Sequence, residues 1–177
     1  MYPDAMTLQG GVSSGPPRSQ RPRVLAFAGS LREGSFNHRL AMLAASAAQS
    51  AGADVTLIRL RDYALPLYDA DLESALPPPG LPSPAIALKR LFWEHQGLLL
   101  ACPEYNSSIT AVLKNALDWV SRPGGWAESG RSGPEPRLSA FAGKVAGLMS
   151  ASPGVLGGLR GLAHVRQILT NLTVLVL

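Results

Sequence analysis

Nine consecutive residues, Gly29-Ser30-Leu31-Arg32-Glu33-Gly34-Ser35-Phe36-Asn37, concentrate the groups an anion needs. They separate an apolar run, RVLAFA at 23–28, from a helix-forming segment. Unpaired amide hydrogens and the helix dipole at such a strand-to-helix turn attract negative charge. Gly29 and Gly34 let the backbone come close, Ser30, Ser35 and Asn37 supply neutral donors, and Arg32 supplies a guanidinium fork. The glycines stand in the frame of a P-loop, but Ser35 and Phe36 occupy the places where a triphosphate and magnesium site requires Lys and Ser or Thr. The third glycine of a dinucleotide fingerprint is also missing, as is an acid directly ending the next strand. The loop therefore reads as a cradle for a monophosphate.

Two further loops follow apolar runs. Pro103-Glu104-Tyr105-Asn106-Ser107-Ser108 comes after GLLLA at 97–101, and the extended geometry favoured before Pro103 keeps its backbone from coiling at once. Tyr105 offers a flat apolar surface with a polar tip, and Asn106 with neighbouring amides can read the edge of a planar heterocycle. For Glu104 two readings stand side by side, a surface or helix-end carboxylate and a catalytic role. The stretch 150–158, SASPGVLGG, is small and polar and suits the rim of a site. His38, His95 and His164 fall one per helix without ligand spacing, so no metal is expected. Cys102 has no histidine nearby in sequence and reads as a packed core residue, and no G-x-S-x-G elbow is present.

The elements that must position these loops alternate between strand and helix. Strands are expected at 23–28, 54–60, 97–101, 144–149 and 173–177, the second of them peripheral because Thr56 and Arg59 interrupt it. The first helix, 36–49, carries apolar residues at Leu40, Leu43, Ala44 and Ala47. Residues 63–84 hold six prolines and read as loop, after which Ser83 and Pro84 open a helix with Ala87, Leu88, Leu91, Phe92 and His95 on one face. Ser107 or Ser108 caps the next helix, with Ile109, Val112, Leu113, Ala116, Leu117 and Val120 on its face, halted by Pro123-Gly124-Gly125. Residues 124–138 read as a mobile loop or lid, and 156–169 as the last helix. Right-handed βαβ units of this kind build a parallel, doubly wound α/β sheet, whose ligands sit beyond the carboxyl ends of the strands.

Composition sets the outer bounds. A chain of 177 residues fits one domain, here residues 23–177 after a flexible, polar N-terminal tail, 1–22. No apolar run approaches the roughly 20 residues of a membrane span. The tail does not read as a signal peptide, and one cysteine fits a reducing compartment, so a cytoplasmic protein is expected. The net charge of +4 does not imply nucleic-acid binding, because Arg18, Arg21 and Arg23 lie in or beside the tail with no interleaved aromatics.

In sequence and order, GSLREGSFN, PEYNSSITAVLKNALDW and SPGVLGGLR resemble the flavodoxin-like NAD(P)H-dependent FMN reductases, which include chromate, quinone and azo-dye reductases. The resemblance spans about residues 23–177 and implies a flavodoxin-like five-stranded parallel sheet of order 2-1-3-4-5. It further implies phosphate contacts to FMN from Ser30, Arg32, Ser35 and Asn37, ring contacts from Pro103, Glu104, Tyr105 and Asn106, and a rim contact from Ser152. NAD(P)H would be the co-substrate, handing a hydride to the flavin before a flavin, quinone, azo compound or chromate takes the electrons, with no catalytic side chain required. Such proteins are commonly homodimers or homotetramers, and the helix carrying Trp119 would be a contact. Three departures stand out: Ser107 replaces a common aromatic and Thr110-Ala111 a frequent Pro-Gly, the loop at 126–138 is longer than usual, and the final helix usual after strand five is lacking. The alternative is a non-enzymatic electron-transfer module of the same fold, a class that is typically acidic, whereas this chain is basic.

Overall fold

A computed structural model describes residues 21–177; residues 1–20, most of the expected tail, lie outside it. Five parallel strands form one sheet in the order β2-β1-β3-β4-β5. They are β1 (Arg23–Ala28), β2 (Asp54–Arg59), β3 (Gly97–Ala101), β4 (Val145–Met149) and β5 (Leu175–Val176). The central strands β1 and β3 are continuous apolar runs because both their faces are covered, whereas β2 sits at the sheet edge. Five α-helices connect them: α1 (Phe36–Ser50), α2 (Ala70–Ala75), α3 (Ser83–Glu94), α4 (Ala111–Ser121) and α5 (Leu159–Asn171).

Side chains on the two faces of the sheet differ in size. Ala28 and Ala101 pack with Ala41 and Leu40 of α1, while Leu25, Phe27, Leu98 and Leu100 join Phe92 of α3, Leu113 and Leu117 of α4, and Val165 and Leu169 of α5. The small residues under α1 explain a departure from expectation. That helix approaches the sheet through Ala41 and Ala45, which leaves Leu43 69% exposed and turned to solvent.

The proline-rich stretch is not all loop. Asp69 accepts a hydrogen bond from Asp71 N at 2.8 Å and caps α2, leaving the prolines to either side of it. The stretch is tied to α4: Trp119 Nε1 donates to Pro66 O at 2.8 Å, and Arg122 Nε reaches Glu73 at 2.8 Å. Trp119 is fully buried within the chain. In α3, Pro82 holds the cap position and Ser83 is already helical, one residue earlier than expected.

Residues 124–138 are fastened to the elements beside them, and they form no lid over the strand ends. They join the C-terminus of α4 to the start of β4, at the edge of the sheet opposite the strand carboxyl ends. Lys89, 1% exposed, donates to Arg122 O, to Gly124 O and, at 2.6 Å, to Glu135. The Arg131 guanidinium lies 4.9 Å from the Trp93 ring and 5.2 Å from the Trp126 ring. No helix among the described residues is long and apolar enough to cross a membrane.

Candidate functional site

The carboxyl ends of β1, β3 and β4 release the three loops singled out in the sequence, and the loops converge. A cleft of about 300 Å³ between them is lined by Ser30, Arg32, Ser35, Asn37, Pro103, Glu104, Tyr105 and Ser152, together with Phe36, Ala151 and Pro153. Of the nine residues expected in the site, eight line this cleft. Asn106 does not; it forms the turn beside it.

The first wall is the β1–α1 loop. Ser35 is the N-cap of α1, its Oγ accepting from His38 N at 3.4 Å, and it is nearly buried. With the His38 amide taken up by this cap, the amides of Phe36 and Asn37, the first two of the helix, have no partner within it and can face a ligand. Ser30 Oγ accepts from Arg32 N at 3.2 Å, and the Arg32 guanidinium, 5.5 Å from the Phe36 ring, stays on the exposed side of the loop. Gly29 is a close-approach glycine, since a Cβ there would lie 3.0 Å from Leu113 Cβ; Gly34 has open space but a φ of 66°.

Asn37 is used differently from the expectation. Its Nδ2 donates to Ala151 O at 2.8 Å and its Oδ1 accepts from Ala151 N at 3.0 Å. Both ends of the amide are thus committed to clamping the rim loop. The rim is pinned again where Ser150 Oγ donates to Cys102 O at 2.7 Å, and Ser152 Oγ accepts from Gly154 N at 3.1 Å.

The second wall is a tight hairpin. Tyr105 and Ser108 exchange both backbone hydrogen bonds, at 2.9 and 3.0 Å, and the two residues between them, Asn106 and Ser107, have φ of 49° and 66°. Positive φ at both central positions is the mark of a primed two-residue turn, and asparagine tolerates it best among non-glycine residues. Tyr105 stands 56% exposed on this hairpin. Because the hairpin consumes Ser107 and Ser108, α4 starts later than expected, and its cap is Thr110. The Thr110 hydroxyl accepts from Leu113 N at 3.2 Å and donates to Gly29 O at 2.6 Å, binding the second wall to the first.

Glu104 takes the helix-end role. Its Oε2 accepts from the backbone N–H groups of Arg160 and Gly161 at 3.0 and 3.1 Å, and its Oε1 from Arg160 Nε and Nη2 at 2.8 and 2.5 Å. The Gly161 amide, and after it the Arg160 side chain, hold the carboxyl below its usual range. Cys102, at the floor, is fully buried, and burial pushes its thiol up to about 12. It stays protonated and inert at neutral pH.

Several residues of this assembly were given no part in the site by the sequence. Thr110 had a legible signal, a threonine three residues before Leu113 at capping spacing. Ala151, Arg160 and the His164 ring, whose Nδ1 lies 3.0 Å from Ser108 Oγ, carried none, because their partners are 56 to 114 residues away in the chain.

A family model for NADPH-dependent FMN reductases matches residues 22–177. A quinone reductase of Escherichia coli (strain K12) is 36% identical over 160 residues, covering 90% of this chain and 75% of that protein. A 2-hydroxy-1,4-benzoquinone reductase of a Burkholderia species is 34% identical over 155 residues, covering 88% and 74%. Among solved structures, the flavoenzyme NAD(P)H:(acceptor) oxidoreductase FerB of Paracoccus denitrificans superposes with a TM-score of 0.66 at 28% identity, over 88% of this chain and 75% of that one. With the cleft at the strand ends and three loops of matching order, the chain belongs to the NADPH-dependent FMN reductase family, oxidoreductases that use FMN with NAD(P)H as electron donor.

Proposed function

We propose that this chain reduces a quinone, or a similarly flat small acceptor, with electrons drawn from NAD(P)H through FMN in the cleft between the β1–α1, β3–α4 and β4–α5 loops. The observation that carries this reading is the convergence of those three loops with their polar groups sorted by end. At one end are the cap of α1, Ser30, Ser35 and Arg32, a donor-rich corner without a free carboxylate, since Glu33 is drawn to Arg61 at 2.7 Å. That corner suits a monophosphate. At the other end Pro103, Tyr105 and the Asn106 turn present a flat surface and a hairpin backbone to a planar ring, with Ser152 at the rim.

FMN held there by Ser30, Ser35 and the α1 cap would supply two-electron chemistry between the nicotinamide and the acceptor. The protein's own work is placement. Asn37 holds the rim against α1, Thr110 holds the hairpin against Gly29, and Pro103 and Phe36 give the cleft apolar lining.

We infer further that the protein acts as a homodimer or homotetramer in the cytoplasm. In support, Val155, Leu156 and Leu159 are exposed on the rim beside the cleft, where a second copy could cover them, and the one cysteine is buried and unpaired. Sedimentation velocity with and without Leu159→Glu tests the contact: a shift toward monomer supports it, and an unchanged coefficient removes it. For the function, NAD(P)H oxidation is followed with benzoquinone as acceptor and FMN added. Turnover that depends on both FMN and quinone is expected; none with either nucleotide would overturn the proposal.

A further inference from the structure

One ion pair beside the cleft is built more tightly than any surface role requires. Glu104 belongs to the hairpin wall and Arg160 to the first turn of α5, and the Glu104 carboxylate accepts four hydrogen bonds from that turn, two from the Arg160 guanidinium and two from the backbone amides of Arg160 and Gly161. The Glu104 side chain is only 9% exposed, while that of Arg160 is 53% exposed. The carboxylate substitutes for a local cap, because the residue at the N-cap of α5 is Gly158, which has no side chain to offer. The fit is close: a Cβ on Gly161 would lie 3.4 Å from Glu104 Cβ and 3.3 Å from Ser108 O.

Charge accounting at this place is simple. The N-terminus of α5 carries partial positive charge and Arg160 a full one; Glu104 offsets them with a single negative charge shielded from water. A hydride from NAD(P)H brings two electrons and one proton, so bound FMN gains one negative charge as the nicotinamide leaves oxidised. Any uncompensated charge beside the cleft therefore biases that step.

Resting on the FMN reading above, we propose that the Glu104–Arg160 pair sets the midpoint potential of the bound flavin by balancing charge at the start of α5, with Glu104 as a positioning residue that fixes α5 and the rim loop against the ring-binding hairpin. Removing the carboxylate leaves the guanidinium and the helix pole unopposed, which favours the reduced, more negative flavin. Removing the guanidinium leaves the carboxylate and disfavours it. The two changes act in opposite directions, which a purely structural role would not produce.

The test is a spectroscopic redox titration of FMN-loaded protein for wild type, Glu104→Gln, Arg160→Gln and the double variant, with a thermal melt of each. The expected result is a midpoint shifted upward in Glu104→Gln, downward in Arg160→Gln, and returned close to wild type in the double variant. Shifts of the same sign, or none beyond the scatter of replicate titrations, overturn the pair's role while leaving the FMN reading intact. Wild-type protein that takes up no FMN overturns both. Should Glu104→Gln fail to fold, Arg160→Gln decides alone, since it keeps the carboxylate on the α5 amides: a downward shift supports the proposal and an unchanged midpoint refutes it.

Discussion

Replacing Thr110 with valine should loosen the site from beneath without touching the cleft. The side chain is 2% exposed, and its hydroxyl does two jobs: it caps α4 through Leu113 N and donates to the buried carbonyl of Gly29 at 2.6 Å. Loss of the cap costs about 1 kcal/mol. The Gly29 carbonyl, left without its hydrogen bond in a dry interior, costs about 1–3 kcal/mol more. Valine matches threonine in shape, so no cavity offsets or enlarges this, and the sum is about 2–4 kcal/mol. For a domain of this size that lowers the melting temperature by about 5–15 °C. Thr110→Ser keeps the hydroxyl and gives up only a methyl group, about 1 kcal/mol. Calorimetric melts of the three proteins, paired with FMN titration, read both effects, and FMN affinity should fall in the valine variant as the Gly29 loop relaxes. A valine variant as stable as wild type, or a serine variant as damaged as the valine one, would refute the reasoning.

Further outcomes follow from other contacts. Asn37→Leu leaves both backbone groups of Ala151 without partners and should cost about 2–4 kcal/mol while weakening FMN binding, since the rim is no longer clamped; a melt and an FMN titration check it. Cys102, its thiol pushed up to about 12, should resist an aromatic disulfide reagent at pH 8 until the protein is unfolded; rapid labelling of the native protein would contradict its burial. His95 is held below its usual 6.5 by burial, with its ring nitrogens against Leu91 O and Thr56 Oγ1. The folded state therefore takes up the proton less readily than the unfolded chain, so this contribution is complete above pH 6.5 and is lost as pH falls below that value. Denaturant melts from pH 7.5 to pH 5 should show a slope that flattens in His95→Gln.

What the sequence revealed depended on how far apart the partners lie. The strands β1 and β3 were legible because unbroken apolar runs ending at Gly29 and Cys102 need no distant information, and the strand order followed from the family resemblance carried by the loop motifs. Local caps were legible only to within a residue or more. Ser107 and Ser108 were as good a cap by type as Thr110, and it was the Tyr105–Ser108 hairpin, a tertiary choice, that moved the start of α4. The face of α1 was misread at Leu43 because hydrophobic periodicity assumes the larger residue turns inward, whereas the alanines of β1 and β3 invite a close helix. Asn37 and Glu104 both line the cleft, yet their polar atoms serve Ala151 and α5, contacts that cross 56 or more residues. The fastening of residues 124–138 rests on Lys89, a charge that periodicity would leave in solvent.

The central claim is that the cleft between the three loops holds FMN, and a titration of the purified protein with FMN, read by fluorescence quenching and visible absorbance, tests it most directly. One FMN per chain is expected, with affinity reduced at least tenfold by Ser35→Leu, which removes the α1 cap and fills the phosphate corner, and little changed by Ser129→Ala, in the remote 124–138 segment. Binding that is absent, or that is indifferent to Ser35→Leu, would contradict it.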